Sequence, residues 1–268
     1  MPTTVMALVP HPDDAEYHAG GLLGKFVLEG AKIIIVTVTD GRVGSYEFDP
    51  EELARVRNEE AMKAAEVLGA EPPIMLGYPD FGLDLLPPGV LREQFVRLIR
   101  QYKPDVVVAE DAFAADEVHP DHRAVAIAAS DAIQYAGLPL VYPEQIAQGL
   151  EPHVVREKYY FAENISRANL IVDVTATMGQ KLAALAQHRS QIIFLVDGIL
   201  QQAEMAGIDL RALFGDAVND HLAVFTWGMQ AQAQEIGQKA GYTYAEAYRY
   251  ERFHPMIESL LKSTENAG

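Results

Sequence analysis

The sequence predicts an α/β fold with a Rossmann-like, mainly parallel sheet and helices on both faces. Short β-branched runs alternate with longer helical stretches in the first half of the chain, which is the pattern of βαβ units. The run from Ile33 to Val38 is apolar throughout, as expected of a strand buried on both faces. A length of 268 residues is enough to bury a sizeable core and is compatible with one large α/β domain.

Six segments have the composition of strands, and helices are predicted between them. The predicted strands are residues 4–9, 33–38, 74–76, 106–109, 154–161 and 170–174. The predicted helices are residues 20–29, 50–68, 120–136 and 177–191. The second helix has readable ends, since Asp49 can cap it, Pro50 suits its first position and Gly69 closes it.

The last part of the chain has a weaker pattern. From Ile192 onward the periodicity is helical but uneven, and we find no repeat, low-complexity tract or flexible linker in the sequence. We therefore expect a single domain, in which residues 1–191 form the α/β core and residues 192–268 form a C-terminal elaboration.

Composition excludes several classes of protein. The chain has 21 Lys and Arg against 38 Asp and Glu, a formal net charge of −17, so neither nucleic acid nor an anionic membrane surface is an expected partner. No apolar run approaches the roughly 18 residues of a membrane span, and the start lacks the basic segment of a signal peptide. We expect a soluble, cytoplasmic protein. With no cysteine, any metal must be held by histidine and carboxylate.

Polar residues follow the first predicted strand directly, in the run Pro10-His11-Pro12-Asp13-Asp14. Ligands bind at the carboxyl ends of strands in an open α/β sheet, and the acidic residues of this turn would repel the pyrophosphate of a dinucleotide. One His and two Asp within four residues offer donors that suit Zn²⁺ or another divalent first-row ion. A solvated acidic turn is the alternative interpretation.

The fourth predicted strand is followed by a second cluster, His119-Pro120-Asp121-His122. Pro120 suits the first turn of a helix, so the two histidines would lie about one turn apart at its start. Both clusters would then lie at carboxyl ends of strands in one sheet. One histidine of this pair would join His11 and Asp14, giving three ligands and the open position of a catalytic zinc site.

These motifs resemble those of the LmbE-like or PIG-L family of N-acetylglucosaminyl deacetylases. Family members carry a Pro-His-Pro-Asp-Asp loop after the first strand and a later His-Pro-Asp-His sequence, and both are present here. Further stretches match in order, namely Arg57-Asn58-Glu59-Glu60-Ala61 before Leu68-Gly69, Gly77-Tyr78-Pro79-Asp80, Lys181 to Ala184, His188-Arg189-Ser190-Gln191 and Tyr244-Ala245-Glu246-Ala247-Tyr248. The last resembles a motif of members that deacetylate glucosamine-malate in bacillithiol synthesis. Ordered motifs of this kind are a specific signal.

The resemblance implies a catalytic site with one zinc ion per chain. His11, Asp14 and His122 would bind the ion. Asp13 would be the general base, and His119 would be the partner of the reacting carbonyl. This division is chemically sensible, because the side chains of neighbouring residues such as Asp13 and Asp14 point in different directions. One can bind the metal while the other accepts a proton.

Asp121 has two interpretations at this stage. Its carboxylate could hold His119 in the imidazolium form, because a carboxylate partner raises the pKa of a histidine. Alternatively, it could complement the dipole at the start of a helix without touching the reaction.

Arg57, Asp80, Asp40 and His188 are the predicted substrate-binding residues. Arg57 and Asp80 match family positions that contact sugar hydroxyls. Arg57 could instead pair with Glu60 on a solvated helix face, and Asp80 could be a turn residue. Asp40 either binds a hydroxyl or makes the turn after the second strand. His188 lies either near the substrate or in the core as a packing histidine.

The leading hypothesis is a zinc-dependent N-deacetylase that removes acetate from a small N-acetylated amino-sugar substrate. A phosphoesterase or a non-sugar amidase would keep the metal and change the reaction, although the motif region lacks lysines to hold a phosphate. A non-catalytic sugar- or metal-binding protein is the third hypothesis. Similar proteins are often trimers or hexamers, so we expect a homo-oligomer. Structural roles are assigned to Glu16, His18, His153, His221 and His254.

Overall fold

One sheet organises the part of the chain that the computed structural model describes, residues 2–114, 116–162, 165–253, 256–257 and 260. Its strands are β1 (Thr4–Val9), β2 (Lys32–Thr39), β3 (Ile74–Tyr78), β4 (Val106–Glu110), β5 (Glu157–Phe161), β6 (Leu170–Asp173) and β7 (Ala245–Glu251). Their order across the sheet is β3-β2-β1-β4-β5-β7-β6. β1 to β5 are parallel and β7 is antiparallel to both of its neighbours, which confirms the predicted mainly parallel sheet.

Helices cover both faces of this sheet. The described helices are α1 (Asp14–Leu28), α2 (Pro50–Leu68), α3 (Val90–Tyr102), α4 (Pro120–Tyr135), α5 (Pro143–Ala147), α6 (Met178–Leu185), α7 (Arg189–Met205), α8 (Leu210–Phe214) and α9 (His221–Gln238). Met6 and Leu8 of β1 join a core cluster with α3 and α4, whereas Val5 and Ala7 join one with α1, α2 and α6. This burial on both faces explains why the central strands are apolar throughout. None of the described helices is both long and apolar enough to cross a lipid bilayer.

The ends of α2 are those that the sequence predicts. The carboxylate of Asp49 accepts two N–H groups of the first turn at 3.1 and 2.9 Å, and Gly69 ends the helix with a φ of +80°. A cap of this kind stabilises a helix by about 1 kcal/mol. The buried stripe of the helix contains Leu53, Arg57 and Ala61, so α2 carries a guanidinium into the interior near the carboxyl edge of the sheet.

Two helices differ from the prediction. α1 begins at Asp14 rather than at residue 20, because the acidic turn after β1 continues directly into the helix. The helix predicted over residues 177–191 is instead α6 and α7, separated by a break at residues 186–188. His188 is the residue that precedes α7.

The sequence does not predict β7, since charged residues such as Glu246 and Arg249 are atypical of a central strand. Glu246 is buried there because its carboxylate is fully engaged. It accepts the N–H groups of Gly21 and Leu22 of α1 at 2.9 and 2.8 Å, and the ammonium of Lys181 at 2.7 Å. A buried charge is tolerated when it is paired and hydrogen-bonded in this way.

Helices α7 and α9 form a third apolar cluster, in which Ile192 and Val196 meet Val224 and Met229. The boundary predicted after residue 191 falls inside α7, and the chain then returns to the main sheet as β7. His254, which was assigned a structural role, lies outside the described residues.

Candidate metal centre and active site

The two histidine-containing turns meet at one edge of the sheet. β1 and β4 are neighbouring parallel strands, so their carboxyl ends lie side by side. The chain leaves β1 into the turn that contains His11, and it enters α4 through the turn that contains His119, with His122 in the first turn of the helix. The centroids of these two rings are 5.0 Å apart.

Three ligand atoms converge between these turns. His11 Nδ1 lies 3.2 Å from His122 Nε2 and 3.3 Å from one oxygen of the Asp14 carboxylate. The other oxygen of Asp14 lies 3.7 Å from His122 Nε2. Donors that bind zinc tetrahedrally at about 2.0–2.1 Å lie about 3.4 Å from one another. His11, Asp14 and His122, the candidate metal centre, therefore fit a small divalent cation.

A second carboxylate holds each histidine ring from behind. His11 donates from Nε2 to Asp80 at 2.9 Å, and His122 donates from Nδ1 to Glu110 at 2.8 Å. These bonds leave His11 Nδ1 and His122 Nε2 as the free nitrogens, and these are the two that converge. Histidines that bind metals are usually oriented by such a carboxylate, which fixes the tautomer and makes the ring a stronger ligand.

The surroundings of the candidate metal centre favour positive charge. Burial opposes protonation of His122, but the carboxylates of Asp14 and Glu110 raise its pKa to about 9. Burial also opposes a charge on His11, but the neighbouring carboxylates of Asp121, Asp14 and Asp80 raise its pKa well above the usual value. Carboxylates that stabilise two buried imidazolium rings can stabilise a divalent cation when the rings lose their protons.

Asp13 is held by a different set of contacts. Its φ of +133° lies in a region that non-glycine residues rarely adopt, the kind of strain that occurs at functional sites. Arg57 donates to its carboxylate at 2.9 Å, and the same guanidinium donates to the carbonyls of Pro12 and Gly41 at 2.8 and 3.0 Å. Burial raises the pKa of Asp13, and the charge of Arg57 opposes that rise. An anchored carboxylate next to the candidate ligand Asp14 is suited to accept a proton.

His119 is the N-cap residue of α4 and lies beside both histidine rings of the candidate metal centre. Its ring centroid is 4.7 Å from that of His11 and 5.3 Å from that of His122. Its Nδ1 accepts the backbone N–H of Asp121 at 3.2 Å, so the proton of the neutral ring is on Nε2. Burial lowers the pKa of His119, and the charges of the two neighbouring histidines lower it further. The ring thus offers one N–H donor next to the candidate metal centre.

The carboxylate of Asp121 does not pair with the ring of His119 as one interpretation expected. It is fully buried, and its two oxygens accept the backbone N–H groups of Phe81 and Leu83 at 2.6 and 2.9 Å. One of these oxygens also lies 3.7 Å from His11 Nε2. Asp121 therefore ties the loop that follows β3 to the start of α4.

Two of the predicted substrate-binding residues are enclosed by protein. Arg57 is 3 % exposed and His188 is 1 % exposed, so neither presents a free surface to a substrate. Arg57 contacts Asp13, and Glu60 binds the backbone N–H and the hydroxyl of Ser190 instead. The solvated pair of Arg57 with Glu60 is therefore not formed, because this face of α2 is buried.

The other two predicted substrate-binding residues, Asp80 and Asp40, are carboxylates that are also engaged in hydrogen bonds. Asp80 binds His11 through one oxygen and accepts the N–H of Val43 through the other at 3.2 Å. Burial would raise the pKa of Asp80, but the hydrogen bond and charge of His11, together with the N–H of Val43 and the charge of Arg57, lower the pKa to about 2. Asp40 accepts the side chain and the backbone N–H of Arg42 at 2.8 and 3.2 Å, which is the turn-forming alternative.

Glu110 is a site residue that the sequence analysis missed. It is the last residue of β4, and it orients His122 from 12 positions earlier in the chain. Burial raises the pKa of this carboxyl to about 7, although His122 lowers it. An acidic residue that ends a buried apolar strand next to a predicted ligand loop was the available signal.

His18 and Glu16 were assigned structural roles. The ring of His18 lies beside the candidate metal centre, with its centroid 6.4 Å from that of His122. His18 stacks on Phe161 with centroids 4.5 Å apart and an interplanar angle of 6°, and burial lowers its pKa to about 4. Glu16 lies 3.6 Å from His188. Since Asp14 and His18 are four residues apart on α1, helical spacing could have predicted that they share a face.

Comparison with known proteins identifies relatives of this chain. Residues 6–133 match the model of the PIG-L family, described as GlcNAc-PI de-N-acetylase. Over 190 residues the chain is 33 % identical to a diacetylchitobiose deacetylase of Thermococcus kodakarensis, covering 70 % of this chain and 69 % of that protein. Over 213 residues it is 27 % identical to a probable N-acetyl-alpha-D-glucosaminyl L-malate deacetylase 2 of Bacillus anthracis, covering 75 % and 86 % of the two chains.

Solved structures share the fold over nearly the whole chain. The N,N'-diacetylchitobiose deacetylase of Pyrococcus horikoshii, solved with its inhibitor MPG, superimposes with a TM-score of 0.75 at 28 % identity, covering 93 % of this chain and 84 % of that one. A hydratase, GalB of Pseudomonas putida, has a TM-score of 0.67 at 17 % identity, covering 94 % and 97 % of the two chains, which shows the fold alone. Because one fold can host different reactions, the shared fold does not identify the reaction. The 33 % sequence identity to the deacetylase of Thermococcus kodakarensis shows the family. This chain belongs to the PIG-L family.

Proposed function

We propose that this protein is a zinc-dependent N-deacetylase that hydrolyses the acetamide of an N-acetylglucosamine-containing substrate to the free amine and acetate. The observation that supports the proposal most strongly is that the neighbouring carboxylates of Asp13 and Asp14 have different contacts. Asp14 converges with two carboxylate-backed histidines, whereas Asp13 is turned to Arg57 and is left to act as a base. The deacetylase names of the relatives support the same class of reaction.

The three side chains of the candidate metal centre would hold the zinc, which would polarise the acetamide carbonyl and acidify a water molecule. Asp13 would accept a proton from that water molecule as the water oxygen attacks the carbonyl carbon. The N–H of His119 would hydrogen-bond the carbonyl oxygen as it gains negative charge. The C–N bond then breaks, and the proton taken by Asp13 is the natural source for the departing nitrogen, so the products are acetate and a free amine.

Phosphate esters are the alternative substrates, and the charges of the site disfavour them. Two nearby cations are already engaged, since Arg57 is buried against Asp13 and Arg42 is paired with Asp40. A phosphate dianion would also approach Asp80, whose pKa of about 2 keeps it ionised. A neutral acetamide encounters no such repulsion.

Release of acetate tests the proposal directly. Purified protein should release acetate from N-acetylglucosamine, N,N'-diacetylchitobiose or an N-acetylglucosaminyl malate. A chelator should abolish the release and Zn²⁺ should restore it. Phosphate monoesters serve as the comparison panel, and turnover of these without any acetate release would contradict the proposal. Zinc as the native metal, assembly as a trimer or hexamer and a cytoplasmic location remain predictions from the sequence.

A further inference from the structure

Phe81, in the loop after β3, has an unusual backbone conformation. Its φ is +63°, which it shares in sign with only three other non-glycine residues in the described part of the chain, one of them Asp13. A left-handed conformation disfavours a bulky side chain, and a glycine would relieve the strain. Such strain persists only where the surrounding structure imposes it, and it clusters at functional sites.

The two histidine-containing turns impose this conformation. The buried carboxylate of Asp121 accepts the N–H of Phe81 at 2.6 Å and that of Leu83 at 2.9 Å. On the other side of the loop, Asp80 is fixed by its hydrogen bond to His11 at 2.9 Å. The backbone of Phe81 is therefore held between Asp121, the chain neighbour of His122, and Asp80, which contacts His11.

The side chain of Phe81 does not contribute to a core. It is 59 % exposed, whereas Leu83 in the same loop is 3 % exposed. The ring of Phe81 meets that of His119 edge to face, with centroids 5.5 Å apart and an interplanar angle of 85°. A strained backbone thus presents a large apolar ring to solvent beside the histidine that offers an N–H to the reacting carbonyl.

We propose that Phe81 is a stacking platform for the apolar face of the pyranose ring, and this inference rests on the proposed function. The acetamide nitrogen is bonded to a ring carbon of the sugar, so the pyranose must lie next to the group that His119 contacts. One face of a pyranose carries mainly C–H groups, which pack on an aromatic ring without requiring charge. The platform would select amino sugars over acetamides that lack a pyranose.

Variants at Phe81 separate this role from a structural one. Phe81→Leu should raise KM for acetamido sugars about ten-fold at similar kcat, because the aromatic face is lost. Phe81→Tyr should keep a KM close to that of the wild type. Phe81→Gly should raise KM similarly while raising Tm, because glycine tolerates the positive φ. Phe113→Leu, at an aromatic residue that is 60 % exposed and contacts Arg249, is the matched control and should leave KM unchanged.

The outcomes distinguish the platform from the reaction itself. An unchanged KM for Phe81→Leu, or a lower kcat at unchanged KM together with a lower Tm, would overturn the platform and leave the deacetylase intact. Equal effects of Phe81→Leu and Phe113→Leu would overturn it as well. A wild-type protein that releases no acetate from any acetamido sugar would instead overturn the proposed function, and the platform with it.

Discussion

Two turns of this molecule contain the same three residues, His-Pro-Asp, but the positions of these residues relative to the following helix differ. In the first turn, His11-Pro12-Asp13, the Asp is the N-cap position of α1 and has a φ of +133°. In the second, His119-Pro120-Asp121, the His is the N-cap of α4, with an ordinary extended conformation. The tripeptide is therefore placed in a different register relative to the helix that follows.

This shift in register decides what each carboxylate does. The strained Asp13 faces Arg57 and keeps no helix-capping hydrogen bond, so its carboxylate remains available for chemistry. Asp121 lies inside the first turn of α4, and its carboxylate accepts hydrogen bonds from two backbone N–H groups of the loop that follows β3. Equal motifs do not imply equal roles, because the role depends on where the helix begins.

The largest expected effect comes from removing Asp13, the proposed base of the first turn. Asp13→Asn should lower kcat about 10²- to 10⁴-fold, since an amide cannot accept the proton. Thermal stability should also fall, because Asn keeps an acceptor for the hydrogen bond from Arg57 but not the negative charge that pairs with this buried guanidinium. Acetate release under saturating substrate measures kcat, and Asp84→Asn at an exposed position is the control. Wild-type kcat in Asp13→Asn would remove Asp13 from the mechanism.

A smaller loss should follow from the second turn. His119→Ala removes the N–H donor to the developing oxyanion and should lower kcat about 10²- to 10³-fold. His153→Ala is a useful comparison, since that ring donates to the carbonyl of Pro104 at 2.7 Å, away from both turns. Steady-state kinetics on both variants makes the comparison, and equal kcat values would show that His119 contributes no specific stabilisation.

The smallest effect on chemistry, and a larger one on folding, is expected for Asp121→Asn. An amide presents one acceptor oxygen, so either the N–H of Phe81 or that of Leu83 loses its partner. A buried unpaired N–H should lower the free energy of unfolding by about 1–3 kcal/mol. Urea unfolding measures this change. If Asp121→Asn unfolded like the wild type but lost activity as Asp13→Asn does, the contrast between the two turns would be refuted.

The structural features that the sequence predicts are those that depend on local rules. β1 follows from an apolar run, the start of α2 from Asp49 and Pro50, and the proximity of the two turns from the parallel order of the strands. Each of these signals lies within a few residues of the feature it predicts. Residue types and spacing predict His11, Asp14 and one histidine of the second cluster as metal ligands, and the resemblance selects His122. The convergence of the three side chains is a property of the three-dimensional arrangement.

The parts that the sequence does not predict depend on distant contacts. The burial of Arg57 requires the carbonyls of two separate turns, and that of His188 requires a break between α6 and α7. The role of Glu110 depends on how β4 and α4 are joined in space. Pairing preferences read from a single helix face, such as Arg57 with Glu60, fail where tertiary packing buries that face.

Zinc binding to the metal-free protein tests the division between the neighbouring carboxylates most directly. Calorimetric titration should show one Zn²⁺ bound per wild-type chain. His11→Ala, Asp14→Ala and His122→Ala should bind it much more weakly, whereas Asp13→Asn and His119→Ala should bind it as the wild type does. Weakened binding in Asp13→Asn equal to that in Asp14→Ala would contradict the account, because Asp13 would then be a ligand and not the base.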